Sequence, residues 1–210
     1  MPANRVHLVR HGEVFNPKGV LYGRLDGFPL SELGQQMAHD AAEALKAANP
    51  VSRVVASPLL RTQQSADSIA DAFNLAVNLD ERLIEPFNIF EGRKMSAGHV
   101  AVRPHLYFHL RNPYRPSWGE PYEQILTRML ELINDEAESI QSGDLVMVTH
   151  QLPIWATHLS LTGKPLLHNP SKRRCALSSI TTIEKRDGKW VEVEYRDPAE
   201  ARRAKDKGAV

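Results

Sequence analysis

An apolar run from Val6 to Val9 breaks off abruptly into Arg10-His11-Gly12-Glu13. The run has the length and composition of a buried strand. In an open α/β sheet such a strand delivers its last residues to the carboxyl edge, where these sheets hold their ligands. An arginine and a histidine are poor core residues. At that edge they form a chemical pair: a planar fork that matches a phosphate, and an imidazole that can carry a proton near neutral pH or act as a nucleophile. Gly12 lets the backbone come close to a ligand. The tripeptide alone also fits a strand that ends in two solvated residues. The theme returns, however, in Leu145-Val146-Met147-Val148-Thr149-His150, a second apolar strand that ends in a histidine.

Strands alternating with helices fill the space between these two runs. Residues 12–30 carry several Gly and Pro and read as a loop. Helical spacing of Leu33, Met37, Ala41, Ala44, Leu45 and Ala48 predicts a helix from Ser31 until Asn49-Pro50 ends it. Arg53 to Ser57 reads as a strand, and Ser57-Pro58 starts a helix that runs to about Phe73. A short strand follows at 76–79, then irregular chain over 81–116, a long helix from Glu120 to about Gln141, and a helix over 153–161. Residues 175–184 and 189–195 alternate as two strands, with Asp187-Gly188 as the hairpin signal. The expected architecture is α/β: a three-layer αβα sandwich with a mainly parallel sheet and a C-terminal hairpin. Residues 1–210 form one domain by this reading, with 86–119 as a cap insertion and 197–210 as a loose tail.

Three strands by this reading end in polar residues: Arg10-His11, Ser57 leading to Arg61, and Thr149-His150. Side by side, their ends would share one pocket holding two arginines and two histidines. Like charges crowd poorly without an anion. Phosphate is the natural occupant, bound bidentately by guanidinium groups and favoured by the N-terminus of the helix after Ser57. The formal net charge of the chain is only +1. That argues against a protein-wide footprint for nucleic acid or membrane, so the anion site is local. No apolar run is long enough to span a bilayer. A single cysteine, Cys175, excludes an intrachain disulfide framework and fits a reducing, cytoplasmic setting.

Leu8-Val9-Arg10-His11-Gly12-Glu13 resembles the signature of the histidine phosphatase superfamily, also called phosphoglycerate mutase-like. Four further segments match in order: Asp26 to Gly34, Ala56-Ser57-Pro58-Leu59-Leu60-Arg61-Thr62, Leu83-Ile84-Glu85 followed by Glu91-Gly92, and Val146 to His150. The resemblance implies a phosphomonoesterase that hydrolyses a small phosphorylated metabolite. His11 would attack phosphorus and become phosphohistidine. Glu85 would protonate the leaving oxygen and later activate water. Arg10, Arg61 and His150 would hold the phosphoryl oxygens. No cofactor and no metal are implied. The alternatives are phosphoglycerate mutase-type phosphoryl transfer, against which the Glu81–Gly92 segment lacks the Glu-Arg-His-Tyr-Gly block of cofactor-dependent mutases, and a non-catalytic phospho-ligand binding module.

The chain also departs from the family. Gln151 stands where a glycine often follows the second histidine. Asn16 lies five residues beyond the first histidine rather than six. Tyr22-Gly23 replaces a common Gln-Gly. Asn16, Tyr22, Gly23 and Gln151 are the expected substrate-binding positions.

Other residues invite plainer readings. His7 is expected as a satisfied core or sheet-face histidine and Cys175 as packing. Glu13 reads equally as a structural carboxylate or a site residue, and Glu91 competes with Glu85 for the acid role. Arg173-Arg174 is expected as a solvated pair. His105 and His109 have the spacing of a metal pair but lack a third ligand. With Arg103, Arg111 and Arg115 they sit in the cap, which is expected to read the organic part of the substrate. An exposed edge of the C-terminal hairpin could support a homodimer.

Overall fold

A computed structural model describes residue 3 and residues 5–47, 50–94 and 119–202. The expected cap residues from 95 to 118, with His105, His109, Arg103, Arg111, Arg115 and Trp118, lie outside the described residues, as does the tail beyond 202.

Six strands form one sheet: β1 (Arg5–Arg10), β2 (Val51–Ala56), β3 (Val77–Leu79), β4 (Asp144–Thr149), β5 (Ile180–Arg186) and β6 (Lys189–Arg196). Their order is β3-β2-β4-β1-β5-β6. The first four strands pair in parallel, and β5 and β6 close one side as an antiparallel hairpin. Strand alternation sorts the core into two layers. Val6 and Leu8 of β1 and Leu145 and Met147 of β4 face α3 (Tyr122–Ser139) and α4 (Gln151–Leu161), where they meet Met129, Leu132, Ile133 and Ile154. Val9, Val146, Val148, Val54 and Ala56 face the other way. They meet Ala41, Ala42 and Leu45 of α1 (Glu32–Lys46) and Ala66, Ile69 and Ala70 of α2 (Leu60–Phe73). This is the expected αβα sandwich, with a mainly parallel sheet and a C-terminal hairpin.

Three of the differences from the expected boundaries have a local physical reason. The helix predicted from Ser57-Pro58 begins at Leu60, because Leu59 is still extended. The helix predicted from Pro153 begins at Gln151. Pro153 fits inside its first turn, where backbone N–H groups have no intrahelical partner. The strand predicted from Cys175 begins only at Ile180. Residues 175–179 instead bend past the end of β1, where the Ser178 N–H donates to the His11 carbonyl and the Arg10 N–H donates to the Ser179 carbonyl. Their alternation reflects burial against the site rather than pairing in the sheet.

The described part of the tail is not loose. Ala199 is buried with Met37 and Leu177, and Arg202 forms an ion pair with Asp40 of α1.

Two glycines set the distance between β1 and α1. A Cβ on Gly12 would lie 2.3 Å from the Gly34 carbonyl oxygen, and one on Gly34 would lie 2.0 Å from that of Glu13. The close approach lets Ser31 cap α1 while binding the turn after β1. Its hydroxyl accepts from the Gly34 N–H at 2.9 Å and donates to Glu13 Oε2 at 2.6 Å. Glu13 therefore takes the structural role of the two open for it.

Candidate active site

Sheet register brings the three polar strand ends together. Arg10 pairs with Thr149 across β1 and β4, and Ala56 pairs with Val148 across β2 and β4. His11 and His150 are thus the next residues on adjacent strands, and Ser57 lies on the far side of β4. The pattern continues one residue past the strands. The His11 N–H donates to the Thr149 carbonyl at 3.1 Å, and the Ser57 N–H to that of Val148 at 3.0 Å. The imidazole rings of His11 and His150 meet edge-on, 5.2 Å between centroids.

His11 Nδ1 lies 2.8 Å from the carbonyl oxygen of Gly12. A carbonyl only accepts, so Nδ1 carries the proton and Nε2 keeps its lone pair. Burial, reinforced by Arg61 and Arg10, holds the His11 pKa well below the ordinary histidine value. The imidazole is therefore neutral at neutral pH, which a nucleophile requires.

His150 is neutral for the same reasons: burial first, then Arg61, His11 and Arg10. Its Nδ1 faces Arg61 Nη2 at 3.3 Å, and its Nε2 faces Ser57 Oγ at 2.9 Å. A guanidinium only donates, so Nδ1 accepts and Nε2–H donates to the serine.

Arg61 and Arg10 are almost wholly buried. Arg61 donates to the Gly23 carbonyl at 2.7 Å, and its guanidinium lies 4.7 Å above the Tyr22 ring. Arg10 Nη1 donates to the Cys175 carbonyl at 2.7 Å. Arg61 stands in the first turn of α2, whose orphan N–H groups add positive potential.

Glu85 completes the group. Its Oε2 lies 3.7 Å from His150 Nδ1 and has no hydrogen-bond partner. Burial pushes its pKa up to about 7, against the opposing pull of Arg61, Arg173, Arg10 and Arg128. A carboxyl poised near neutrality can both give and take a proton. The chain around Glu85 is held from several sides. Thr149 Oγ1 donates to the Leu83 carbonyl at 2.6 Å, Arg24 Nε donates to the Glu85 carbonyl at 2.5 Å, and Arg128 donates to the carbonyl of Arg82. Arg24 and Arg128 share Glu120 as their ion-pair partner. The other carboxylate considered for the acid role, Glu91, is occupied elsewhere. Its Oε1 accepts from the N–H groups of Arg24 and Asn88.

A small cleft is lined by Arg10, His11, Arg61 and Glu85 together with Tyr22, Gly23 and Gln151. Three of the four expected substrate-binding positions therefore line it. The fourth, Asn16, is buried in the adjoining loop. Its amide bridges to both backbone groups of Val20, at 2.8 and 3.2 Å. Gly23 is held close to Glu91, since a Cβ there would lie 2.1 Å from Glu91 Oε1. His7 is a satisfied core residue, between Thr182 Oγ1 at 3.0 Å and Asp144 Oδ2 at 3.1 Å. Cys175 is buried, and burial pushes its thiol up to about 11, so it packs rather than attacks.

Sequence reasoning missed Arg24, Arg128 and Arg173. Arg173, expected in solvent, is half-buried and donates to Gln151 Oε1 at 3.0 Å. Arg174 is exposed, with its guanidinium paired to Glu192 and lying over Tyr195. No local pattern separates these two neighbours. Only the path of the 170–179 segment past the cleft turns one inward.

Residues 6–198 match the family model described as histidine phosphatase superfamily (branch 1). The chain is 47% identical over 196 residues to uncharacterized protein Rv0525 of Mycobacterium tuberculosis, covering 93% of this chain and 96% of that protein. It is 28% identical over 193 residues to the probable phosphoglycerate mutase GpmB of Erwinia tasmaniensis, covering 89% and 87%. Among solved structures it is similar to the mycobacterial glucosyl-3-phosphoglycerate phosphatase Rv2419c in complex with VO3. The TM-score is 0.75 at 26% identity, with 91% of this chain and 98% of that one covered.

Proposed function

The chain belongs to the histidine phosphatase superfamily, and we propose that it is a metal-independent phosphomonoesterase acting on a small phosphorylated metabolite through a phosphohistidine at His11. The observation that carries this reading is the tautomer of His11. Its Nδ1–H is fixed on the Gly12 carbonyl, which leaves Nε2 as a neutral nucleophile among buried guanidinium groups.

The reaction divides into two displacements at phosphorus. In the first, His11 Nε2 attacks, the P–O bond breaks, and Glu85 gives its proton to the leaving oxygen. In the second, Glu85 takes a proton from water, whose oxygen attacks the phosphohistidine. The P–N bond breaks, inorganic phosphate departs, and both residues return to their starting states. Arg10, Arg61 and the N-terminus of α2 stabilise charge on the transferring group, and His150 joins them. The orphaned Glu85 Oε2 and Arg61 Nε are consistent with a site whose polar partners arrive with substrate. Tyr22, Gly23 and Gln151 border the leaving group. The lone buried cysteine supports a cytoplasmic setting.

Rapid-quench labelling with a phosphorylated substrate tests the reading. The unsubstituted protein should form an acid-labile, base-stable phosphoenzyme and release phosphate, and His11→Ala should do neither. Label that persists in His11→Ala would remove His11 from its role. Isomerisation of phosphoglycerate with little phosphate release would favour the mutase alternative, which the name of the GpmB relative keeps in view.

A further inference from the structure

The chain that carries Glu85 is braced by a carboxylate outside the cleft. Glu120 holds two guanidinium groups at once. Its Oε2 accepts from Arg24 Nη2 at 3.2 Å and from Arg128 Nη2 at 3.1 Å, and its Oε1 accepts from Arg128 Nε at 2.9 Å. Each arginine then reaches a backbone carbonyl on the same short stretch. Arg24 Nε donates to the Glu85 carbonyl at 2.5 Å, and Arg128 Nη1 donates to that of Arg82. The side chains of Glu120 and Arg128 are only 15% exposed, so salt screens their pairing little. None of the three residues lines the cleft.

Backbone contacts bring Glu120 to this stretch. Gly119 pairs with Asn88 in an isolated antiparallel bridge, and a Cβ on Gly119 would lie 2.7 Å from the Phe87 carbonyl oxygen. A residue without a side chain lets the two segments lie this close. Arg24 is fixed through its main chain as well, since its N–H donates to Glu91 Oε1 at 3.0 Å. The Glu85 carboxyl has less support of its own. Its Oε2 has no hydrogen-bond partner, so the main chain beneath it does much to set its direction. The charged and titratable groups that face it are His150, Arg61 of α2, Arg10 of β1, Arg173, and Arg128 of α3. Glu120 supplies a counter-charge to the last of these and to Arg24. Without that charge the two arginines would act on Glu85 more strongly, and a loosened chain would admit water. Both changes favour the carboxylate over the acid.

We propose that Glu120 is a positioning residue: through Arg24 and Arg128 it fixes the chain that carries Glu85 and offsets their charge at its carboxyl. This inference rests on the phosphatase reading above. Glu120 acts through Glu85 and takes no part in either displacement.

The titration of Glu85 tests this in two ways. One is the falling limb of kcat/KM against pH with an alkyl phosphate. The other is the NMR resonance of the Glu85 carboxyl carbon in isotope-labelled protein, identified by its loss in Glu85→Gln, which needs no turnover. Glu120→Gln should move both to lower pH by about half a unit or more. On the falling limb that is about a threefold loss with the alkyl phosphate, while p-nitrophenyl phosphate is nearly spared. Glu120→Asp keeps the charge on a shorter stem and should move both the same way by less. If Glu120→Gln fails to fold, the aspartate variant decides: movement supports the proposal and none overturns it. His7→Leu stands for a merely structural loss, and should lower stability with limb and resonance in place. An unmoved limb and resonance in Glu120→Gln, or an equal movement in His7→Leu, overturns the positioning role. Absence of turnover by the unsubstituted enzyme on both substrates defeats the phosphatase reading instead. The resonance then still decides whether Glu120 governs the Glu85 carboxyl.

Discussion

At the scale of single residues, burial favours the neutral forms of three groups that meet at the strand ends. Burial holds His11 and His150 below their ordinary pKa and raises Glu85 to about 7. In the proposed mechanism the acid form of Glu85 protonates a poor leaving group. With an alkyl phosphate, kcat/KM should therefore fall about tenfold per pH unit above pH 7, and Glu85→Gln should remove that limb. The same substitution should slow an alkyl phosphate far more than p-nitrophenyl phosphate, whose leaving oxygen needs no proton. Equal losses would exclude Glu85 as the acid. To this substitution, stability should respond in the opposite sense to activity. Because folding raises this pKa from 4.5 to about 7, its contribution is whole below pH 4.5 and is lost as pH rises through 7. Glutamine never ionises, so Glu85→Gln should be more stable than the unsubstituted protein at pH 8, by roughly 3 kcal/mol. Urea titrations at pH 8 and pH 4.5 should show that gap at the first and none at the second.

At the scale of elements, His11 is placed by contact between the β1 turn and the first turn of α1. Gly34 touches no part of the cleft, yet a methyl group there would collide with backbone rather than with a side chain that could swing away. Gly34→Ala should cost about 2–3 kcal/mol or more, by overpacking, and should depress kcat as the turn carrying His11 shifts. Ser31→Ala removes the cap of α1 and a partner of Glu13. It should cost about 1 kcal/mol and leave kcat closer to normal. Thermal melts beside steady-state kinetics separate the two. If Gly34→Ala melts lower but turns over normally, the contact governs stability alone.

At the scale of the whole molecule, one buried polar bridge ties three strands together away from the reacting groups. His7 of β1 joins Asp144 of β4 to Thr182 of β5, with every partner buried. His7→Leu leaves the Asp144 carboxylate without its imidazole. It should destabilise the fold by about 2–4 kcal/mol, while kcat at a permissive temperature stays near that of the unsubstituted enzyme. The double variant His7→Leu/Asp144→Leu should recover part of the loss, because the stranded carboxylate is then gone. A double variant less stable than the sum of the two single ones would show that the bridge is not a unit.

Much of this protein was legible in its sequence because its chemistry sits where strand patterns stop. Apolar runs ending at Arg10-His11 and Thr149-His150 dictated both the sheet and the edge on which the polar groups lie. Helical spacing supplied the outer layers, and the ordered motifs that resemble the superfamily picked out Arg61 and Glu85 at a distance. What the sequence left open was decided by contacts between segments far apart in the chain. Glu85 rather than Glu91 faces His150 because Glu91 is occupied by the backbone of Arg24 and Asn88. Residues 175–179 alternate like a strand but bend around the end of β1. Arg173 turns inward while Arg174 stays exposed, because only one of them meets Gln151 and His168. Periodicity reports which face of an element is buried. It carries no information on which distant segment does the burying, and for a charged side chain that difference decides whether it is solvated or part of the site.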